Sequence, residues 1–152
     1  MFLGRYQHSL DAKGRLTIPA RFREALGEGA YVVQGFDGNL MVLPPAVFQV
    51  LYQRVNRLSI TDPKARLLRR LILSAAAEVE LDRSGRILIP PYLREAAELN
   101  GEVVLVGVGD YFEIWAAEAW ERQVDLLEDP EANAERFAAL DLSPVVDEQA
   151  GA

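Results

Sequence analysis

The chain has 152 residues, half of them hydrophobic, with a formal net charge of −7, one histidine and no cysteine. That length suits one ordinary domain or two very small ones sharing a core, and the moderate charge argues for a folded chain. Disulfides, thiolate metal sites and cysteine nucleophiles are excluded, the lone His8 rules out a multi-histidine metal site within one chain, and no apolar run reaches the ~18 residues of a membrane span, so a cytoplasmic protein without cofactor or membrane contact is expected.

The first predicted element is a tight hairpin around Leu10-Asp11-Ala12-Lys13-Gly14-Arg15. Asp11 can bond the turn's own backbone, and Gly14 supplies the left-handed conformation that a bulged turn requires. Arg15 to Ile18 reads as a short strand rich in β-branched residues. Pro19 then opens a short helix that ends near Gly27, because proline's missing N–H is harmless in a first helical turn. A second hairpin runs from Tyr31 to Leu43 around Gly35-Phe36-Asp37-Gly38, and two helices follow, Pro45 to Ser59 and Asp62 to Ala76, broken at Thr61-Asp62-Pro63.

The pattern then starts again. Leu81-Asp82-Arg83-Ser84-Gly85-Arg86-Ile87-Leu88-Ile89-Pro90 repeats Leu10 to Pro19 with an offset of 71, and Arg94-Glu95-Ala96 repeats Arg23-Glu24-Ala25. After one inserted residue, Phe112-Glu113-Ile114-Trp115 and Trp120 correspond to Leu40-Met41-Val42-Leu43 and Phe48. The second copy has its own hairpin, Glu102 to Trp115 around Gly107-Val108-Gly109-Asp110, and a closing helix. A unit of about forty-five residues cannot bury both faces of its sheet alone, so the copies must share a core. The expected fold is α+β, a pseudo-two-fold β-barrel core built from two hairpin and helix units with helices outside. The units span 5–48 and 76–120, with a helical connector over 49–75 and a C-terminal helix and acidic tail over 121–152.

Net charge hides an asymmetry: residues 1–70 carry +6 and residues 71–152 carry −13. Such a split hints at a polyanion-binding face with an acidic region elsewhere, or at attraction between opposite ends of neighbouring subunits. Four side chains, Lys13, Arg15, Arg83 and Arg86, place positive charge on the two hairpin tips. A two-stranded ribbon fits the DNA major groove, where arginine can bond guanine in bidentate fashion. The blander reading is that Asp11 with Arg15, and Asp82 with Arg86, are local ion pairs that hold their turns. The two readings are compatible, since the aspartate can orient the arginine.

Other features read as structural. The basic run Lys64-Ala65-Arg66-Leu67-Leu68-Arg69-Arg70 suits a second DNA or membrane-surface contact, but reads better as a solvated helix face that meets an acidic neighbouring subunit, with Leu68, Leu71, Ile72 and Ala75 facing the core. Arg21 and Arg23 rank behind the tips as DNA contacts. His8 lacks a partner for catalysis or ligation, Phe48, Trp115 and Trp120 read as core, and Glu78, Glu80 and Asp82 alternate along an exposed strand.

The paired Asp-x-x-x-Arg turns, each running into an Ile-Pro helix start, resemble the MraZ family, the two-copy branch of the SpoVT-AbrB swapped-hairpin superfamily. Met1-Phe2-Leu3-Gly4, Val104-Leu105-Val106-Gly107 and Phe112-Glu113-Ile114-Trp115 add to the resemblance, which spans roughly residues 1–125. It implies a swapped-hairpin core and a transcription factor, usually a repressor, that binds short G-rich direct repeats in the promoter of a division and cell-wall gene cluster. It also implies a ring-shaped homo-oligomer on the nucleoid, with double-stranded DNA as partner. By this resemblance the DNA-contacting positions fall on Asp11 to Arg15 and Asp82 to Arg86, and Lys13, Arg15, Arg83 and Arg86 are the basic contacts; Asp11, Gly14, Asp82 and Gly85 shape the turns.

The main competitor is an antitoxin-like or scaffolding module, because a fold does not fix a function. Against it, the second copy stands where an antitoxin carries its disordered tail, and Asp141 to Ala152 is a short substitute. An enzyme is not expected: the chain has no Walker loop, dinucleotide fingerprint, zinc helix or nucleophile elbow.

Overall fold

A computed structural model describes residues 1–143. The last part of the expected acidic tail, 144–152, lies outside the described residues. Two compact units result, Met1–Trp120 and the remainder from Glu121 onward.

The first unit contains strands β1 (Arg5–Ser9), β2 (Arg15–Thr17), β3 (Gly29–Gln34), β4 (Leu40–Leu43), β5 (Ala77–Glu80), β6 (Arg86–Leu88), β7 (Glu102–Gly107) and β8 (Phe112–Ala116). Helices α1 (Ala20–Leu26), α2 (Pro45–Asn56), α3 (Pro63–Leu73) and α4 (Pro91–Ala96) lie between them, and α5 (Ala117–Leu127) leads out of the unit. The architecture is α+β, and every strand pairing is antiparallel.

Six strands form one sheet in the order β1-β7-β8-β4-β3-β5, while β2 and β6 make a second, two-stranded sheet. Each copy's first strand therefore joins the other copy's second hairpin: β1 lies along β7 and β5 along β3. The Asp11 turn makes less of a hairpin than the sequence suggests, since only the Leu10–Leu16 bridge links its two arms before they diverge. Among the described residues no pairing joins β1 to β5, so the sheet stays open where a closed barrel is expected. The reason is that β2 and β6 leave the sheet to make a separate ribbon over one of its faces.

Strand periodicity explains the layers. Successive strand residues point to opposite faces, so Val32, Val103 and Leu105 meet the ribbon residues Leu16 and Ile87, with Ile18, Ile89, Phe22 and Leu93, in the main core. Their neighbours Val33 and Leu43 turn the other way, onto Ile72 of α3. Val104, Val106 and Trp115 pack with the half-buried Trp120 at the start of α5. Phe48 is likewise half-buried and stacks on Tyr31 with ring centroids 4.1 Å apart, so neither it nor Trp120 is a central core residue. Phe2, at the very start of the chain, is buried between Phe22 and Phe112.

The two helices expected over Pro45 to Ser59 and Asp62 to Ala76 are slightly shorter, Pro45–Asn56 and Pro63–Leu73. Asp62 caps α3 by accepting the Lys64 backbone N–H at 2.9 Å, which explains the break at Thr61-Asp62-Pro63. Ile72 and Ala65 are buried, whereas Leu71 faces solvent, so the apolar stripe of α3 is rotated from the one read off the sequence. Arg69 donates to the carbonyls of Asn56 and Leu58 at the end of α2, and Arg66 to that of Ile60 at 2.9 Å. Two of the run's cations thus hold the α2–α3 corner together.

In the second unit, α6 (Pro130–Phe137) is capped by Asp129, whose carboxylate accepts the Ala132 N–H at 3.2 Å. Among the described residues no helix is long and apolar enough to cross a membrane.

Candidate nucleic-acid interface

The two Asp-x-x-x-Arg segments fold into nearly the same small structure. In the first, Asp11 Oδ1 accepts the backbone N–H groups of Lys13 and Arg15 at 2.9 and 2.8 Å, and Oδ2 accepts Arg15 Nε–H at 2.7 Å. In the second, Asp82 Oδ1 accepts the N–H groups of Ser84 and Arg86, both at 2.9 Å, and Oδ2 accepts Arg86 Nε–H at 2.9 Å. The N–H of Gly14 closes on the carbonyl of Asp11, and that of Gly85 on Asp82, both at 3.0 Å. Gly14 and Gly85 adopt φ of +84° and +73°, which only glycine takes without steric penalty.

These bonds stabilise the charged carboxylates. The Arg15 backbone N–H is the main cause that lowers the Asp11 carboxyl to about 2, helped by the Arg15 side chain and the Lys13 N–H. The Arg86 backbone N–H likewise lowers the Asp82 carboxyl. Each aspartate holds its arginine through Nε, which leaves both terminal nitrogens of Arg15, and Nη2 of Arg86, without a carboxylate among the described residues.

The turns are locked to each other as well. Ile18 N–H donates to the Gly85 carbonyl and Ile89 N–H to the Gly14 carbonyl, both at 2.9 Å, on either side of the β2–β6 ladder. Arg86 Nη1 also comes within 3.8 Å of the Asp11 carboxylate, so the two motifs share one electrostatic cluster. Within the ribbon Leu16 and Ile87 point inward, and Arg15, Thr17, Arg86 and Leu88 point outward. Lys13 and Arg83 stand exposed on the tips, and among the described residues neither has a carboxylate partner.

Two further arginines reach the same place. Arg94 on α4 donates from Nε to the Ile89 carbonyl at 3.0 Å and lies across Gly14 of the opposite copy. Arg23 on α1 lies across Gly85 in the matching way. The sequence places Arg23 behind the tips and gives Arg94 no role. Its signal was present in the repeat, where Arg94 occupies the position of Arg23. Six cations, Lys13, Arg15, Arg23, Arg83, Arg86 and Arg94, therefore belong to the two turns or lie against them, on a chain that is acidic overall. Arg21 is exposed on α1.

Lys64 to Arg70 sit on α3, in the layer on the other face of the sheet. His8 lies half-buried in β1 opposite Val103, and Glu78 and Glu80 are exposed on β5. Among the described residues no group of three or more histidine, aspartate or glutamate side chains is placed to hold a metal ion.

The duplication carries a family signature. The sequence model of one family, described as "MraZ protein, putative antitoxin-like", matches residues 1–71 and matches again over 72–141. The chain belongs to the MraZ family. A relative from Thermomicrobium roseum is 49% identical over 142 residues, which cover 92% of this chain and 99% of the relative. One from Roseiflexus sp. (strain RS-1) is 48% identical over 138 residues, covering 91% and 94%. One from Herpetosiphon aurantiacus is 46% identical over 129 residues, covering 85% and 90%. Each of these relatives bears the name Transcriptional regulator MraZ. The first MraZ match takes in α2 and most of α3.

Proposed function

We propose that this chain is a sequence-specific DNA-binding regulator of transcription and that its β2–β6 ribbon is the reading head. The observation that carries the proposal is the outward placement of Arg15 and Arg86 at diagonal positions of the ribbon's outer face, each aligned by its own aspartate. A two-stranded ribbon fits the major groove, and a guanidinium with free terminal nitrogens can bond guanine O6 and N7 together. Lys13, Arg83, Arg23 and Arg94 supply charge for phosphate. The names of the relatives agree with this reading.

The finer reading follows the family resemblance. The chain reads repeated short G-rich promoter elements, represses its own division and cell-wall gene cluster, and works in the cytoplasm on the nucleoid as a ring-shaped homo-oligomer. Repetition of identical tips suits a site of repeated elements, because the few cations of one chain give limited affinity. We read the exchange of β1 and β5 as the swapped-hairpin arrangement of the superfamily, with units at 5–48 and 76–120, a connector at 49–75 and a C-terminal region at 121–152. The words "antitoxin-like" in the family description favour a second reading, an interaction module whose ribbon meets a protein.

The test is fluorescence anisotropy with duplex DNA from upstream of the chain's own gene, across a salt series. Wild type is expected to bind specifically with a steep salt dependence. Arg15→Ala combined with Arg86→Ala is expected to lose specificity while keeping its oligomeric state. Binding by the double variant equal to wild type rejects the ribbon as reader, and absence of binding by wild type favours the interaction module.

A further inference from the structure

Resting on the reading just given, we propose that Leu88 is a specificity-determining residue that recognises the 5-methyl group of a thymine beside the base contacted by Arg15. Directly opposed residues of an antiparallel pair project from the same face. The register sets Arg15 opposite Leu88 and Thr17 opposite Arg86. The approximate two-fold relation between the copies exchanges Arg15 with Arg86 and Thr17 with Leu88. Charge is thus repeated across the ribbon, but the companion of each arginine is not: one has a leucine, the other a threonine.

Leu88 is 55% exposed, although its strand neighbours Ile87 and Ile89 are buried in the core. Its outward position follows from strand alternation, and the twin position holds a threonine, so the fold does not require an aliphatic side chain there. Arg15 is tethered through Nε to Asp11, which keeps its guanidinium on the same face as the leucine. Thymine alone among the four bases presents a methyl group in the major groove, and apolar side chains recognise it there. Thr17 offers a smaller methyl and a hydroxyl, so the Arg86 end is less selective for that group. Leu88 also borders an open cavity of about 510 Å3 with Glu78, Val79, Glu80 and Pro90. The two carboxylates repel phosphate on that side, which leaves the side toward Arg15 for a base edge.

Duplexes enriched from a randomised library by the full-length chain supply the probe, resynthesised with each thymine in turn replaced by deoxyuridine, which removes only the methyl. At one thymine the replacement is expected to weaken wild-type binding about fourfold, the factor for one buried methyl. Leu88→Ala is expected to bind both forms alike, with unchanged thermal midpoint and elution volume. Equal discrimination by Leu88→Ala and wild type overturns the proposal, as does indifference of wild type to every methyl. In both cases loss of binding by Arg15→Ala plus Arg86→Ala leaves the DNA reading standing. A changed elution volume with unchanged thymine discrimination also overturns it, by making Leu88 a contact between protein chains. If no duplex is enriched, or the double arginine variant binds like wild type, the DNA reading fails and the role of Leu88 falls with it.

Discussion

Arg94 on the second copy's helix lies across Gly14 in the first copy's turn, so closely that a Cβ on Gly14 would stand 2.6 Å from the guanidinium carbon. Arg23 stands to Gly85 in the same relation. Each basic turn is therefore built from both copies: its backbone comes from one repeat and the arginine that covers it from the other. The bonding within each turn is alike because both keep the same Asp, Gly and Arg, although Ala12-Lys13 in one becomes Arg83-Ser84 in the other.

Gly14→Ala tests that construction. The left-handed φ of +84° is disfavoured by about 1–2 kcal/mol for a residue with a Cβ, and the new methyl also has to displace Arg94. The variant is expected to lose about that much stability in urea denaturation and to weaken binding to duplex DNA. Adding Arg94→Ala is expected to relieve the crowding but not the backbone strain, so the double variant stays less stable than Arg94→Ala alone. If Gly14→Ala is as stable as wild type, the turn does not hold this conformation.

Asp11 gives a pH signature. Its folded-state value of about 2 lies below the ordinary 3.8, so its stabilising contribution is complete above about pH 4 and is lost as the pH falls through about 2. Asp82 adds a contribution of the same sign. Asp11→Asn keeps an oxygen for the two backbone N–H groups but removes the charge that Arg15 faces. Urea denaturation between pH 5 and pH 2 is expected to show wild type losing stability more steeply than Asp11→Asn. Identical slopes would mean that the carboxylate is no better stabilised in the folded chain than in the unfolded one.

The tip cations have a different expected role from the ribbon arginines. Lys13 and Arg83 are exposed and lack carboxylate partners among the described residues, as suits phosphate contacts. Replacing either with alanine is expected to weaken binding to all duplexes alike and to reduce the salt slope by about 0.9 for each protomer touching DNA. Loss of discrimination between duplexes, with the slope unchanged, would instead place the tips on the bases.

Much of this layout is legible in the sequence because the repeat is nearly ungapped and strand and turn signals are local. Asp11, Gly14 and Arg15 stand within four residues of one another, so their mutual bonding follows from spacing. Non-local pairing is not legible in the same way. That β1 pairs with β7, and that β2 and β6 leave the sheet, depends on how two copies share one core, and nothing in a single repeat distinguishes an open sheet with a ribbon from a closed barrel. Arg94 was overlooked because its partner, Gly14, is eighty residues away in the chain. Phe2 escaped for a related reason: no periodic pattern surrounds it, and it is buried by pairing with Gly109 in both directions, at 2.7 and 2.9 Å.

Among the described residues Asn39 is the one buried polar side chain, and it lies where the two copies join. This residue is 3% exposed, and its side-chain amide donates to Glu113 Oε2 at 2.8 Å. Asp37 N–H donates to Asn39 Oδ1 at 3.2 Å, and Trp115 Nε1–H donates to Glu113 Oε1 at 3.1 Å. The network thus ties the turn before β4 to β8 of the other copy. Asn39→Ala removes a donor from a half-buried carboxylate and is expected to destabilise the fold by about 1–3 kcal/mol. Asn39→Asp goes further, because at neutral pH it sets a second carboxylate against Glu113. Its loss of stability relative to wild type is expected to exceed that of Asn39→Ala in thermal or urea denaturation. Equal losses for the two variants would show that Glu113 turns away to solvent when its partner changes, and that the β4–β8 ladder and apolar packing hold the two copies here without this side-chain bond.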